Sequence, residues 1–143
     1  MESRTRVEVI SVGKSMEIDW KTLQVKATEA MKKSYSPYSK FPVGVAALVS
    51  DGRIISGCNV ENASYGLTLC AECSLVSELI MSGGGRLIAA VCVDKDGNLL
   101  SPCGRCRQLL YEHGGDSLEL LTPEGPKNMT VILPWGFGPK DLN

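Results

Sequence analysis

A chain of 143 residues, 43% hydrophobic and 22% charged, has the size and composition of one globular domain, with no room for a second. Its 15 basic and 16 acidic side chains leave a net charge of -1, without the basic excess expected of a duplex-binding surface, so no nucleic-acid partner is expected. No apolar run is long enough to cross a bilayer, so no membrane partner is expected. Residues 1–15 scatter Glu2, Arg4, Arg6, Glu8 and Lys14 among apolar positions and do not read as a signal peptide, which makes the cytoplasm the expected compartment.

In chain order, residues 1–18 read as an N-terminal extension, with Met16 as an alternative initiator, and 19–143 as the single domain. Asp19 is an N-cap for a helix in which Trp20, Leu23, Ala27, Ala30 and Met31 recur at helical spacing. Pro37 and Pro42 mark a loop. Val43 to Ser50 and Arg53 to Cys58 read as strands joined through Asp51-Gly52, a strong hairpin signal. Thr68 is expected to cap a second helix, with Cys73, Val76, Leu79 and Ile80 on one face, which Ser82-Gly83-Gly84-Gly85 ends. The continuously apolar run Leu87 to Val93 predicts a buried strand. Pro102 is expected to open a third helix running to Gly114-Gly115. Leu118 to Leu121 and Met129 to Leu133 read as short strands. This order predicts an α/β fold, with helices on both faces of a mixed sheet and parallel neighbours at the strand–helix–strand passes.

Six cysteines in a chain this long, in a reducing compartment, point to metal binding or core packing before disulfides. Cys70-Ala71-Glu72 and Pro102-Cys103-Gly104-Arg105-Cys106 carry the sharpest signal. Cys103 and Cys106 lie one helical turn apart and Cys70 opens the preceding helix, so two helix N-termini converge on one point. Thiolates suit zinc, and the positive helix ends offset the charge of three of them. Three protein ligands leave a fourth position open, as in catalytic zinc sites, with Glu72 in reach as an acid–base group. Cys73 leaves a rival open: Cys70 and Cys73 also form a C-x2-C pair, and four sulfurs make a closed structural site, although the intervening stretch is longer than in common zinc ribbons. A redox pair at Cys103 and Cys106 is a weaker reading. Cys58 and Cys92 read as buried packing residues, and His113 as a side chain stabilising a helix C-terminus.

Asn59 and Glu61, two apart in an extended segment, face one way and could bind vicinal hydroxyls; Phe41 could stack on a flat base. Each also has an ordinary reading as turn residue, solvated charge or core aromatic. Asn59-Val60-Glu61-Asn62-Ala63-Ser64-Tyr65-Gly66, then Cys70-Ala71-Glu72, then Pro102-Cys103-Gly104-Arg105-Cys106-Arg107-Gln108 closely resembles the homotetrameric cytidine deaminases, over roughly Trp20 to Leu142. The resemblance implies a three-layer α-β-α sandwich around a five-stranded mixed sheet. It implies one zinc ion per subunit on Cys70, Cys103 and Cys106, with Glu72 as proton shuttle, the chemistry common to zinc deaminases. Asn59 and Glu61 match the ribose-binding pair, Phe41 an aromatic on the pyrimidine, and the backbone around Ala71 a partner for the base's amide edge. Ala63, Tyr65 and Phe137 are expected to reach a neighbour's site in a homotetramer with sites at subunit boundaries.

The implied reaction is hydrolysis of free cytidine and 2'-deoxycytidine to uridine and 2'-deoxyuridine, a pyrimidine-salvage step. The alternatives are a deaminase of a cytosine-containing nucleoside antibiotic and a non-catalytic structural-zinc module. The Asn59/Glu61 pair and the intact Asn62 to Gly66 run favour the simple nucleoside. The resemblance departs at Cys73, where many relatives carry an arginine that bonds the thiolates; Arg105 and Arg107 are candidates to compensate, and Cys73 is expected not to be a ligand.

Overall fold

The computed structural model describes residues 4–9 and 14–143, the part before residue 16 by backbone alone. The expected extension 1–18 therefore lies partly outside the described residues. What is described of it is an antiparallel pair, β1 (Arg4–Val9) and β2 (Lys14–Asp19), and its last residue, Ile18, is fully buried.

Helix α1 (Trp20–Met31) starts where Asp19 accepts a hydrogen bond from the Thr22 N–H at 3.0 Å. The predicted hairpin follows as β3 (Gly44–Val49) and β4 (Ile54–Cys58), with Gly52 at φ 96°, a backbone conformation that suits glycine. Next come α2 (Ala71–Met81), β5 (Leu87–Val93), α3 (Gly104–Gly114), β6 (Glu119–Thr122), β7 (Gly125–Asn128) and α4 (Met129–Ile132). Strands β3 to β7 form a five-stranded mixed sheet in the order β4-β3-β5-β6-β7. Alternate residues of β3 and β5 face opposite sides. Ala46, Leu48, Val91 and Val93 pack on α1, and Val45, Ala47, Ala90 and Cys92 pack toward α2 and α3. The result is the expected three-layer α/β sandwich.

Strand β3 is antiparallel to both β4 and β5, so the β4–α2–β5 pass joins two parallel strands that lie one apart rather than side by side. The β5–α3–β6 pass joins true parallel neighbours. The carboxyl ends of β4 and β5 therefore lie at one edge of the sheet, and the N-termini of α2 and α3 return there, the usual place for a ligand in such sheets.

Several boundaries differ from expectation. Residues 129–132 are helical, and the fifth strand is Gly125–Asn128 instead. Pro126 is tolerated because β7 is an edge strand, and Asn128 caps α4 by accepting from the Thr130 N–H at 3.0 Å. Helices α2 and α3 also begin later than Thr68 and Pro102 suggest, with Cys70 and Cys103 themselves at the N-cap positions.

Gly57 sets how closely α2 approaches the sheet. A Cβ there would lie 2.5 Å from the Ala71 carbonyl oxygen and 2.6 Å from the Leu75 nitrogen, both helix backbone. Gly57→Ala is expected to cost about 3 kcal/mol by overpacking, read as a lower urea midpoint at unchanged slope. A midpoint equal to the parent's would show that α2 is free to shift.

Candidate active site

The sulfurs of Cys70, Cys103 and Cys106 lie within 4.8 Å of one another. Cys70 holds the N-cap of α2, Cys103 the N-cap of α3, and Cys106 the third position of α3. Two helix N-termini thus face one small cluster of sulfur, the arrangement that favours thiolates. Backbone N–H groups of Cys106 and then Arg105 help hold the Cys103 thiol below its ordinary range. Burial pushes the Cys70 thiol up. Burial and the adjacent Glu72 carboxylate push Cys106 up further. The buried thiols therefore resist ionising alone, and a coordinated cation reverses that cost because a ligating thiol is deprotonated outright. Three clustered soft donors fit zinc.

Glu72 occupies the second position of α2, only 3% exposed. It lines a cavity of about 200 Å³ together with the three cysteines, Asn59, Ala71, Cys92 and Thr68. Its Oε1 accepts from the Cys92 thiol at 3.3 Å. Burial, then the Glu72 carboxylate, pushes that thiol up, so Cys92 stays protonated and is the donor. Cys92 thus does more than fill space, which its apolar sequence context did not signal. Strand parity offered one hint: Cys92 falls on the same face of β5 as Ala90, toward α2 and α3.

Cys73 lies elsewhere. At the third position of α2 it lines a separate, more open groove of about 820 Å³ with Ile55, Val60, Ser77 and Met81, and it is not part of the sulfur cluster. The Arg107 side chain bonds to groups outside the sulfur cluster. Its guanidinium donates to the carbonyls of Pro102 and Ile132, both at 2.9 Å, tying the turn before α3 to α4. Arg105 is exposed, and its backbone N–H helps to lower the Cys103 thiol. His113 lies in the last turn of α3.

Asn59 and Glu61 face the side opposite Val60, as an extended segment requires, but enter adjoining pockets. Asn59 is buried and clamps the preceding loop. Its amide donates to the Phe41 carbonyl at 2.9 Å, and its oxygen accepts from the Val43 N–H at 2.9 Å and from the Ser34 hydroxyl. Glu61 lines a pocket of about 330 Å³ with Tyr38, Ser39, Asn62, Tyr65 and Thr68. The Ser39 hydroxyl, then the N–H groups of Ser39 and Tyr38, hold its carboxyl below the ordinary range. Thr68 borders both pockets. Phe41 is about half exposed and outside the lining of either; Ala63, Tyr65 at 77% and Phe137 at 56% exposure stand on the surface. Tyr65 packs edge-on against Tyr38 at 6.1 Å.

Comparison with known proteins agrees with this geometry. Residues 17–120 match the model of the cytidine and deoxycytidylate deaminase zinc-binding region. A cytidine deaminase of Mycobacterium tuberculosis is 56% identical over 126 residues, 88% of this chain and 95% of that protein. One from Sporosarcina psychrophila is 38% identical over 132 residues, 88% of this chain and 96% of that protein. The crystal structure of cytidine deaminase from Mycobacterium leprae superimposes with a TM-score of 0.80 at 62% identity, covering 82% of this chain and 98% of that one. With the three-sulfur group and the buried carboxylate beside it, the chain belongs to the cytidine and deoxycytidylate deaminase zinc-binding family.

Proposed function

We infer that this protein is a zinc-dependent cytidine deaminase, converting cytidine and 2'-deoxycytidine with water to uridine and 2'-deoxyuridine plus ammonia. The observation that carries this reading is the enclosed Glu72 carboxylate sharing a cavity of about 200 Å³ with three sulfurs that lie within 4.8 Å of one another. Cys70, Cys103 and Cys106 would hold the zinc. A zinc ion so held supplies Lewis acidity, lowering the pKa of water and making a nucleophile available at neutral pH.

The chain's own residues handle the protons. Glu72 takes one from the attacking water and gives one to the ring nitrogen of cytosine, which makes the amino-bearing carbon more electrophilic. Glu72 then takes the second proton, from the hydroxyl now on that carbon, and passes it to the amine; the C–N bond breaks, ammonia leaves and the oxygen becomes the carbonyl of uridine. Buried in the first turn of α2, the carboxylate is held in the cavity throughout.

The cavity is smaller than the roughly 300 Å³ and upward of common ligand sites, so it suits a flat base more than a whole nucleoside. The sugar extends into the adjoining 330 Å³ pocket, where Glu61, kept ionised by Ser39 and Tyr38, accepts from its hydroxyls. Asn59 supports the sugar side by fixing the loop that bears Phe41. The backbone at Ala71, on the cavity wall, faces the amide edge of the base. Ala63, Tyr65 and Phe137, on the surface of one chain, would serve a neighbouring copy's cavity in a homotetramer.

Following cytidine absorbance in the presence of the zinc-loaded protein tests the assignment. Steady conversion to uridine is expected, and Glu61→Ala should raise KM about tenfold, the cost of one charge-assisted hydrogen bond to a sugar hydroxyl, with kcat changed much less. A folded, zinc-loaded chain that leaves cytidine unchanged would end the cytidine reading and turn attention to modified cytosine nucleosides.

A further inference from the structure

We propose that Cys92 is a positioning residue for the proposed reaction: its thiol, donating to Oε1 of Glu72 at 3.3 Å inside the core, fixes how that carboxylate faces the cavity. This rests on the reading of Glu72 as the proton carrier.

The two residues come from different layers. Glu72 is on the first turn of α2, and Cys92 is one residue from the end of β5, with Val45 of β3 as its neighbour in register. Both are buried. A buried carboxylate needs donors, and this one is supplied from a strand hydrogen-bonded on both sides, whose position is fixed by the sheet. Cys106 also bears on Glu72. As a zinc ligand, however, Cys106 would be a thiolate with no proton to donate, whereas Cys92 lies outside the three-sulfur group. Cys92 is therefore the thiol left to donate to Glu72 once the three-sulfur group holds a metal. Without it the carboxylate is less firmly oriented, since the terminal torsion of a glutamate has broad, shallow wells, and a misaligned proton carrier slows the chemical step without altering substrate affinity.

Three substitutions separate this role from packing. Cys92→Ser keeps a donor, Cys92→Val keeps bulk without a donor, and Cys92→Ala keeps neither. Each is assayed as zinc-loaded protein alongside metal content. The expected result is kcat about tenfold lower in the Val and Ala variants, as for loss of one hydrogen bond to a charged group. KM should stay within about twofold, and the Ser variant should recover most of the loss.

A second readout needs no turnover. The parent-minus-Cys92→Ser infrared difference spectrum isolates the Cys92 S–H stretch. That stretch should lie below the frequency of an unbonded thiol and rise when Glu72→Gln replaces the carboxylate by a weaker acceptor. Full activity in Cys92→Val, a Ser variant no better than Ala, or an S–H stretch at the unbonded frequency would overturn the positioning role alone. A parent inert toward cytidine would instead remove the reading of Glu72 on which the role depends.

Discussion

Glu72→Gln is expected to lower kcat on cytidine by about a thousandfold, within the range that general acid–base groups contribute, while the protein keeps its zinc and its fold. Gln has the same length and can still sit in the first turn of α2, but its amide neither takes up nor releases a proton. The side chain is 3% exposed and lines the cavity beside the three sulfurs, so bulk water is poorly placed to replace it. Stability should not suffer greatly, because a neutral amide is easier to bury than a carboxylate. The measurement pairs cytidine turnover with metal content and a thermal melt of both proteins. A variant with full zinc and kcat within tenfold of the parent would show that another group moves the protons. The roles of α2 and of Cys92 would then need rebuilding.

The layered fold was legible in the sequence where local signals agreed with each other. Asp19 ahead of helical spacing, Asp51-Gly52 between two apolar runs, and the unbroken run Leu87 to Val93 each point one way, and α1, the β3–β4 hairpin and β5 follow. Met129 to Leu133 reads as a strand yet is mostly helical, because a short apolar run has no period of its own. The deciding signal was Asn128, an N-cap residue directly before it. The starts of α2 and α3 lie later than Thr68 and Pro102 suggest for a different reason. Thr68 and Pro102 are ordinary helix openers, whereas cysteine is not a preferred cap, yet here the thiols take those positions and bring both helix ends to one cluster.

The three-cysteine group was visible in the spacing, but its limit was not. Cys70 and Cys73 occupy the cap and third positions of α2 just as Cys103 and Cys106 do on α3, so sequence offers two equivalent pairs. Rotation of α2 about its axis decides between them. Packed against β4 at Gly57, the helix turns Glu72 into the cavity and Cys73 toward the groove beside β4. The partners of Asn59 were equally hidden, since Ser34, Phe41 and Val43 lie 16 to 25 residues away along the chain and meet it only in the fold.

That asymmetry between α2 and α3 predicts opposite outcomes for two cysteines of similar appearance. Cys106→Ala should retain less than about a tenth of the parent's zinc after dialysis against a chelator and lose nearly all turnover. Its sulfur is buried within the cluster, and two thiols alone make a poor zinc site. Cys73→Ala should keep its zinc, because its sulfur is outside the group. The thermal melt gives an independent check. A ligand that binds only the folded state raises Tm, so chelation should lower the parent's Tm and leave that of Cys106→Ala unmoved. Loss of zinc from Cys73→Ala, to the same extent as from Cys106→Ala, would mean that four sulfurs close the site. A closed site leaves no open position for a reacting group, and Glu72 would then be a buried carboxylate beside a structural metal rather than a proton carrier.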